Sequence, residues 1–251
     1  MKLSLLLCAL IVFISCSKTD DSAVNDCNAD CTIVAGRIVR DNAIGIPNVS
    51  VEFYFEESAT YSSNKRIIAR GSTNETGYFR IKGFINNEEL GNTADGTFWV
   101  SIDESSVGNE YIKDTQTYSN VPGYATGINT EYRKNLQSIS SRDTLINYNL
   151  TIPQQAPLIL TFQNFDPSVE MNNIQINTYL DIPENTSDGS VGIFNSINAD
   201  YNQQNFQIET VGAQNFSNIL YIRKRKNGEI ETETITFFVD ENTTNEISIE
   251  F

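Results

Sequence analysis

From Cys31 onward, apolar side chains recur at every second position, and no window of about 11 residues repeats them at the helical period. Val49, Val51, Phe53 and Phe55 fall on one face of a strand, and Phe79 with Ile81, Phe98 with Val100 and Ile102, and Ile146 with Tyr148, Leu150 and Ile152 repeat the pattern. An extended chain with this alternation buries one face and wets the other, which prescribes half-buried strands. About six or seven of them between Thr32 and Ile152 match the scale of a Greek-key sandwich. Pro153 and Pro157 then bracket Gln154-Gln155-Ala156, and since neither proline can donate to a central ladder, the stretch reads as a short stiff spacer. Beyond it Leu158, Leu160 and Phe162, then Ile174, Ile176, Leu180 and Ile182, then Phe206 and Ile208, and finally Ile235, Phe237, Val239, Ile247, Ile249 and Phe251 describe a second all-β unit. Asn227-Gly228 between two of its strands is a strong hairpin signal. The expected fold is all-β, with two tandem β-sandwich domains at 31–152 and 158–251 joined by a linker at 153–157.

The N-terminus is built differently. Lys2 precedes an unbroken apolar run from Leu5 to Ile14, well short of the ~20 residues that span a bilayer, so it reads as an export signal. Phe13-Ile14-Ser15-Cys16 resembles the lipobox of bacterial lipoproteins, although Phe13 stands where that class prefers leucine. The resemblance implies a signal peptide at 1–15, lipidation of Cys16, and a lipid-anchored flexible tether over 16–30. Three acyl chains at ~0.8 kcal/mol per buried CH₂ far exceed the marginal hold of one myristoyl chain. Ser17-Lys18-Thr19-Asp20-Asp21 resembles the short tract that carries some lipoproteins to the outer face of the outer membrane, which implies exposure at the cell surface.

Charge and cysteine usage agree with that destination. Removing residues 1–15 takes away one charged side chain, Lys2, and shifts the formal charge from −15 to −16, so nucleic acid is not an expected partner. Cys27 and Cys31, the pair in the folded part, are expected to form a small disulfide loop. A metal site there would need further ligands, and the chain contains no histidine.

The stretches AGRIVRDNAIGIPNVSVEF and GSTNETGYFRI are similar to the transthyretin-like, carboxypeptidase-regulatory-like domain of bacterial surface proteins. Gly36, Ile38, Pro47, Val51, Thr73, Gly77, Tyr78 and Phe79 carry the likeness, which is good over about residues 32–85, faint through 152 and absent beyond. It implies a transthyretin-like Greek key for the first domain, with Gly77 at a positive-φ turn, Pro47 presetting a strand entry and Phe79 pointing into the sandwich. The family is an appendage of carboxypeptidases, so the likeness implies no hydrolase.

Without histidine there is no Ser-His, Cys-His or histidine-zinc chemistry. Ser62-Ser63-Asn64-Lys65 fits Ser-x-x-Lys, but it lies in a polar connection between strands with no Lys-Thr-Gly partner, and it reads as a loop. Asp103-Glu104 and Asp240-Glu241 read as solvated turns, and the oxygen-rich stretches 185–190 and 240–246 lack EF-hand spacing. Neither cofactor nor metal is expected, and Asn48 and Asn215 head sequons without meaning in a bacterial chain.

The expected function is a non-catalytic, lipid-anchored surface module that binds or displays, with a glycan or an outer-membrane protein as partner. The alternatives are a histidine-free glycoside hydrolase or other hydrolase, and a purely structural or adhesive spacer. Binding is expected near one anomaly: about 39 residues separate the strand ending near Glu104 from the one starting near Thr144, against ~2–6 in an ordinary connection. The segment holds Tyr111, Tyr118, Tyr124 and Tyr132, and Trp99 projects from the preceding strand opposite Phe98, Val100 and Ile102. These rings suit sugars and protein partners alike, while the competing reading makes some of them caps of the core and places a further edge strand in the segment.

Overall fold

The computed structural model describes residues 27–59, 62–91, 95–117, 122–181, 190–240 and 245–251. The expected signal peptide, Cys16, most of the tether, Tyr118 and most of the two stretches weighed for calcium lie outside them.

The described residues fold into β-sandwiches, as the alternation requires. In the first, β1 (Thr32–Val39) lies between β4 (Tyr78–Gly83), which is antiparallel to it, and the short β9 (Leu145–Asn147) and β10 (Leu150–Thr151), both parallel to it. Opposite runs a four-stranded sheet: β3 (Ser62–Ser72), β2 (Ser50–Ala59), β5 (Gly96–Ile102) and β8 (Arg133–Gln137). Phe53, Phe79, Phe98 and Tyr148 fill the space between them.

In the second sandwich, β11 (Gln155–Gln163) lies between β14 (Phe206–Ala213) and β17 (Asn245–Glu250). The facing six-stranded sheet runs β16 (Glu229–Phe238), β15 (Ser217–Lys226), β12 (Asn173–Asp181), β13 (Ser190–Asn198), β7 (Tyr124–Glu131) and β6 (Thr115–Thr117). Leu158, Leu160, Phe162 and Phe165 pack against Ile174, Ile176, Leu220 and Ile222 between the two sheets.

The sheets do not divide where the prolines suggested. β6 and β7 come from the chain before residue 152 yet join the second sandwich: β7 pairs with β13, with Phe194 opposite Gly127 and Ile193 opposite Ile128, and β6 pairs with β7. The expected spacer is woven into the structure: β11 begins at Gln155, Pro157 pairs with Val211, the Pro153 carbonyl accepts from the Ile112 N–H at 2.9 Å, and the Gln154 carbonyl accepts from the Gln214 N–H at 2.8 Å. Pro157 is tolerated because β17 joins β11 only from Leu158 onward, so its missing N–H deprives no neighbour. Val191, Ile193 and Ala213 accordingly belong to the first core. Period-2 alternation marks a strand's buried face but not the sheet it joins, and that is why the boundary was misplaced.

Several local expectations hold. Asn227 (φ 53°) and Gly228 (φ 90°) join β15 to β16 with the two positive φ values of a type I′ turn. Gly77 has φ 73°, Phe79 is buried, and Cys27 and Cys31 form a disulfide with Cα atoms 5.7 Å apart. The Ser-x-x-Lys tetrapeptide is not a loop: it opens β3, with Ser62 paired to Ala59 and Lys65 to Glu56. On a strand, positions three apart alternate to opposite faces, unlike the helical turn that the motif requires.

Candidate binding surfaces

Trp99 projects from the outer face of the four-stranded sheet, opposite Tyr54 on β2. Both rings are roofed by cations: the Arg133 guanidinium carbon lies 4.5 Å from the Trp99 ring centre, and Lys65 Nζ lies 4.0 Å from that of Tyr54. Cation–π attraction holds such pairs together, and it occupies the ring faces that a sugar would stack on. Glu52 ties the lattice together by accepting from Lys65 at 2.7 Å and Arg70 at 2.8 Å. Burial pushes the Glu52 carboxyl up, but these two cations outweigh it and hold it below its ordinary value.

Beside Trp99 an open cleft of about 370 Å³ is lined by Ser101, Glu104, Asn129, Thr130, Glu131 and Arg133. Its carboxylates are engaged. Glu104 accepts from the Thr130 hydroxyl at 2.6 Å and the Asp114 N–H at 2.6 Å, and Glu131 accepts from Arg133 Nε at 3.0 Å.

The tyrosines do not gather on one loop. The long segment after Glu104 holds β6, β7 and β8, and three of its tyrosines serve the packing. Tyr132 is buried and donates to the Ile112 carbonyl at 2.9 Å. Half-buried Tyr124 donates to Asn195 Oδ1 at 3.0 Å and packs on the second core. Tyr111 is half-buried and forms a bridge with Gln154. Burial raises all three phenols, that of Tyr132 well above the ordinary value.

A different surface collects uncovered rings. Among the described residues ten large apolar side chains are exposed, and five of them, Tyr179, Phe194, Tyr221, Ile230 and Phe238, share the outer face of the six-stranded sheet. One row across the strands reads Thr234, Tyr221, Asn177, Phe194, Gly127 and Gln116. A Cβ on Gly127 would lie 2.4 Å from the Phe194 ring, so the absent side chain lets that ring lie across β7. A Cβ on Gly192, opposite Tyr179, would meet nothing within 4 Å, which leaves a bare step between Tyr179 and Phe194. This apolar cluster, interleaved with amides and hydroxyls, makes the face the candidate interaction surface. The sequence carried a signal for it: Ile219 and Tyr221 occupy the outward phase of β15, where polar residues were due.

No family model matches the sequence, and neither does any curated protein. Among solved structures, similarity extends to the Bacillus anthracis TIE protein (13% identity, 88% of this chain and 34% of that one, TM-score 0.31). It extends also to a streptococcal ancillary pilin (9%, 89% and 63%, TM-score 0.30) and to the shaft pilin SpaA from Lactobacillus rhamnosus GG (11%, 88% and 97%, TM-score 0.27). The chain thus spans about a third of the length of the TIE protein. At these scores the likeness carries no functional argument, and the fold rests on the sheets themselves.

Proposed function

We propose that this chain is a non-catalytic, lipid-anchored surface protein that binds through the outer face of its six-stranded sheet. The observation that carries the reading is the concentration on that face of Tyr179, Phe194 and Tyr221, which are 49%, 43% and 39% exposed. Rigid rings with polar edges supply contact area at little entropic cost, and the intervening Asn177, Gln175 and Thr234 supply directional hydrogen bonds. Anchoring rests on the lipobox-like residues ending at Cys16, and exposure on the export-like tract Ser17–Asp21. The N-terminal likeness to carboxypeptidase-regulatory-like domains fits a display module: Gly77, Pro47 and Phe79 have structural tasks, and the regulatory family supplies no hydrolytic residues to carry over.

The test compares intact cells displaying the wild-type protein with cells displaying Tyr221→Ala/Phe194→Ala, after chemical crosslinking and recovery of bound glycan and protein. Loss of the captured material with an unchanged melting temperature supports the reading. Equal capture by both overturns it.

A further inference from the structure

The binding face carries cations that no carboxylate among the described residues answers. Along β15 its outward positions run Ile219, Tyr221, Arg223 and Arg225, about 6.7 Å apart at the spacing of alternate strand residues. Arg223 Nη1 donates to the Gln175 side-chain oxygen at 3.2 Å, a neutral partner. Arg225 Nε is buried and has no hydrogen-bond partner among the described residues.

Register explains how the face stays free of negative charge at this end. Glu229, Glu231 and Glu233 of β16 share the opposite face with Lys224 and Lys226, and Lys224 pairs with Glu233 at 3.0 Å. The acidic positions that share the arginines' face, Asp181 and Glu131, lie in the row at its far end, where Glu131 is bonded to Arg133. At physiological salt, charges beyond about 8 Å are largely screened, so the local arginines outweigh the negative charge of the whole chain for anything lying on them.

We propose that the occupant of this face is a linear anionic polysaccharide, one bearing carboxylate or sulfate groups. This rests on the binding face assigned above and deepens it. Tyr221 and Phe194 stand two strands apart, about 9.6 Å, a separation suited to rings that stack on every second sugar of an extended chain. Phe194 lies over Gly127, which keeps the row low where it continues onto β7, and the bare position at Gly192 opens the space between Phe194 and Tyr179. Asn177, between the two rings, and Gln175 offer amides to hydroxyls. Arg223 and Arg225 flank that row, running from Tyr221 along β15 at right angles to it, with donors matched to carboxylate or sulfate oxygens that project from the side of the chain. The two arginines beside these rings favour an anionic occupant over a purely apolar one.

The experiment immobilises polygalacturonate, hyaluronate and neutral amylose, and measures binding of the purified full chain by interferometry at low and high salt. Retention by either anionic chain and not by amylose, weakening as salt rises, is expected. Arg223→Gln and Arg225→Gln should each lower that affinity about tenfold or more, as loss of a charged hydrogen bond requires, while Arg223→Lys retains part of it. Thermal melting of each variant separates lost contact from lost folding. Equal binding to amylose, insensitive to the arginine changes, overturns the anionic assignment and leaves the binding face standing. Retention by neither anionic chain overturns it as well, and if cells then yield a protein whose capture depends on Tyr221 and Phe194, the face is a protein site. Capture from cells that ignores those two residues defeats the face itself.

Discussion

The buried hydroxyl of Tyr148 donates to the main-chain carbonyl oxygen of Tyr132, 3.1 Å away. Tyr132 is the residue at which the chain leaves β7 in the six-stranded sheet and enters β8 in the four-stranded one. Its own hydroxyl reaches back to the Ile112 carbonyl, whose residue's N–H is held by Pro153. Two tyrosines thus fasten the crossing between the sandwiches.

Removing either hydroxyl without changing ring volume should weaken that crossing. Tyr148→Phe and Tyr132→Phe are each expected to lower unfolding free energy by about 1 kcal/mol, with more for Tyr132 if the Ile112 carbonyl is left dry. Urea titration followed by tryptophan fluorescence measures it, since Trp99 is the sole tryptophan and sits in the sheet that β8 joins.

Alkaline pH probes the same site. Burial raises the Tyr132 phenol well above its ordinary value of 10.0, so the folded state holds this proton where the unfolded chain has released it. Its contribution is complete below about pH 10 and is lost as pH rises toward the folded value. Stability should fall above pH 10 in the wild type and fall less steeply in Tyr132→Phe; the slope does not vanish, because Tyr111 and Tyr124 are raised too. Identical slopes would contradict the assignment.

Asn218 is fully buried, accepts from the Ala213 N–H at 2.8 Å, and donates at 3.0 Å to both the Ala213 and the Phe216 carbonyls. It closes the connection between β14 and β15. Asn218→Ala strands these groups and should cost about 2–3 kcal/mol, measured by chemical denaturation. Its neighbour Asn215, which heads a sequon, adopts φ 61° and donates to the buried Asp41 of the first sandwich, a structural task that any reading of the tripeptide alone would miss.

The strongly alternating strands such as β2, β4, β5 and β11, their buried faces and the Asn227-Gly228 hairpin were legible because each depends on residues near one another in the chain. The assignment of β6 and β7 to the second sandwich was not, since Ile128 and Tyr124 alternate in the same way whichever sheet receives them. The tyrosines of the long segment misled for a related reason. Tyr132 and Tyr124 have the composition of a binding loop, but their hydroxyls are spent on Ile112 and Asn195, a pairing that only the fold reveals. The proposed binding face was hidden because it is assembled from single outward residues of separate strands, Tyr221, Tyr179 and Phe194, none forming a motif by itself.

Anchoring at Cys16 predicts that Cys16→Ser moves the protein from the membrane to the soluble fraction and abolishes labelling by an alkyne fatty acid. Replacing Lys18, Asp20 and Asp21 by alanine should keep the lipid and hide the protein from protease added to whole cells. Wild-type protein that resists this protease until lysis would place the anchor on the periplasmic side.

Site-specific photocrosslinking on intact cells tests the binding face most directly. A benzophenone amino acid is placed at Tyr221, at Tyr179, or at exposed Tyr78 on β4 of the first sandwich. The account predicts shared adducts from positions 221 and 179 and none from 78. Adducts from 78 as abundant as those from 221, or adducts from none of the three, would contradict it.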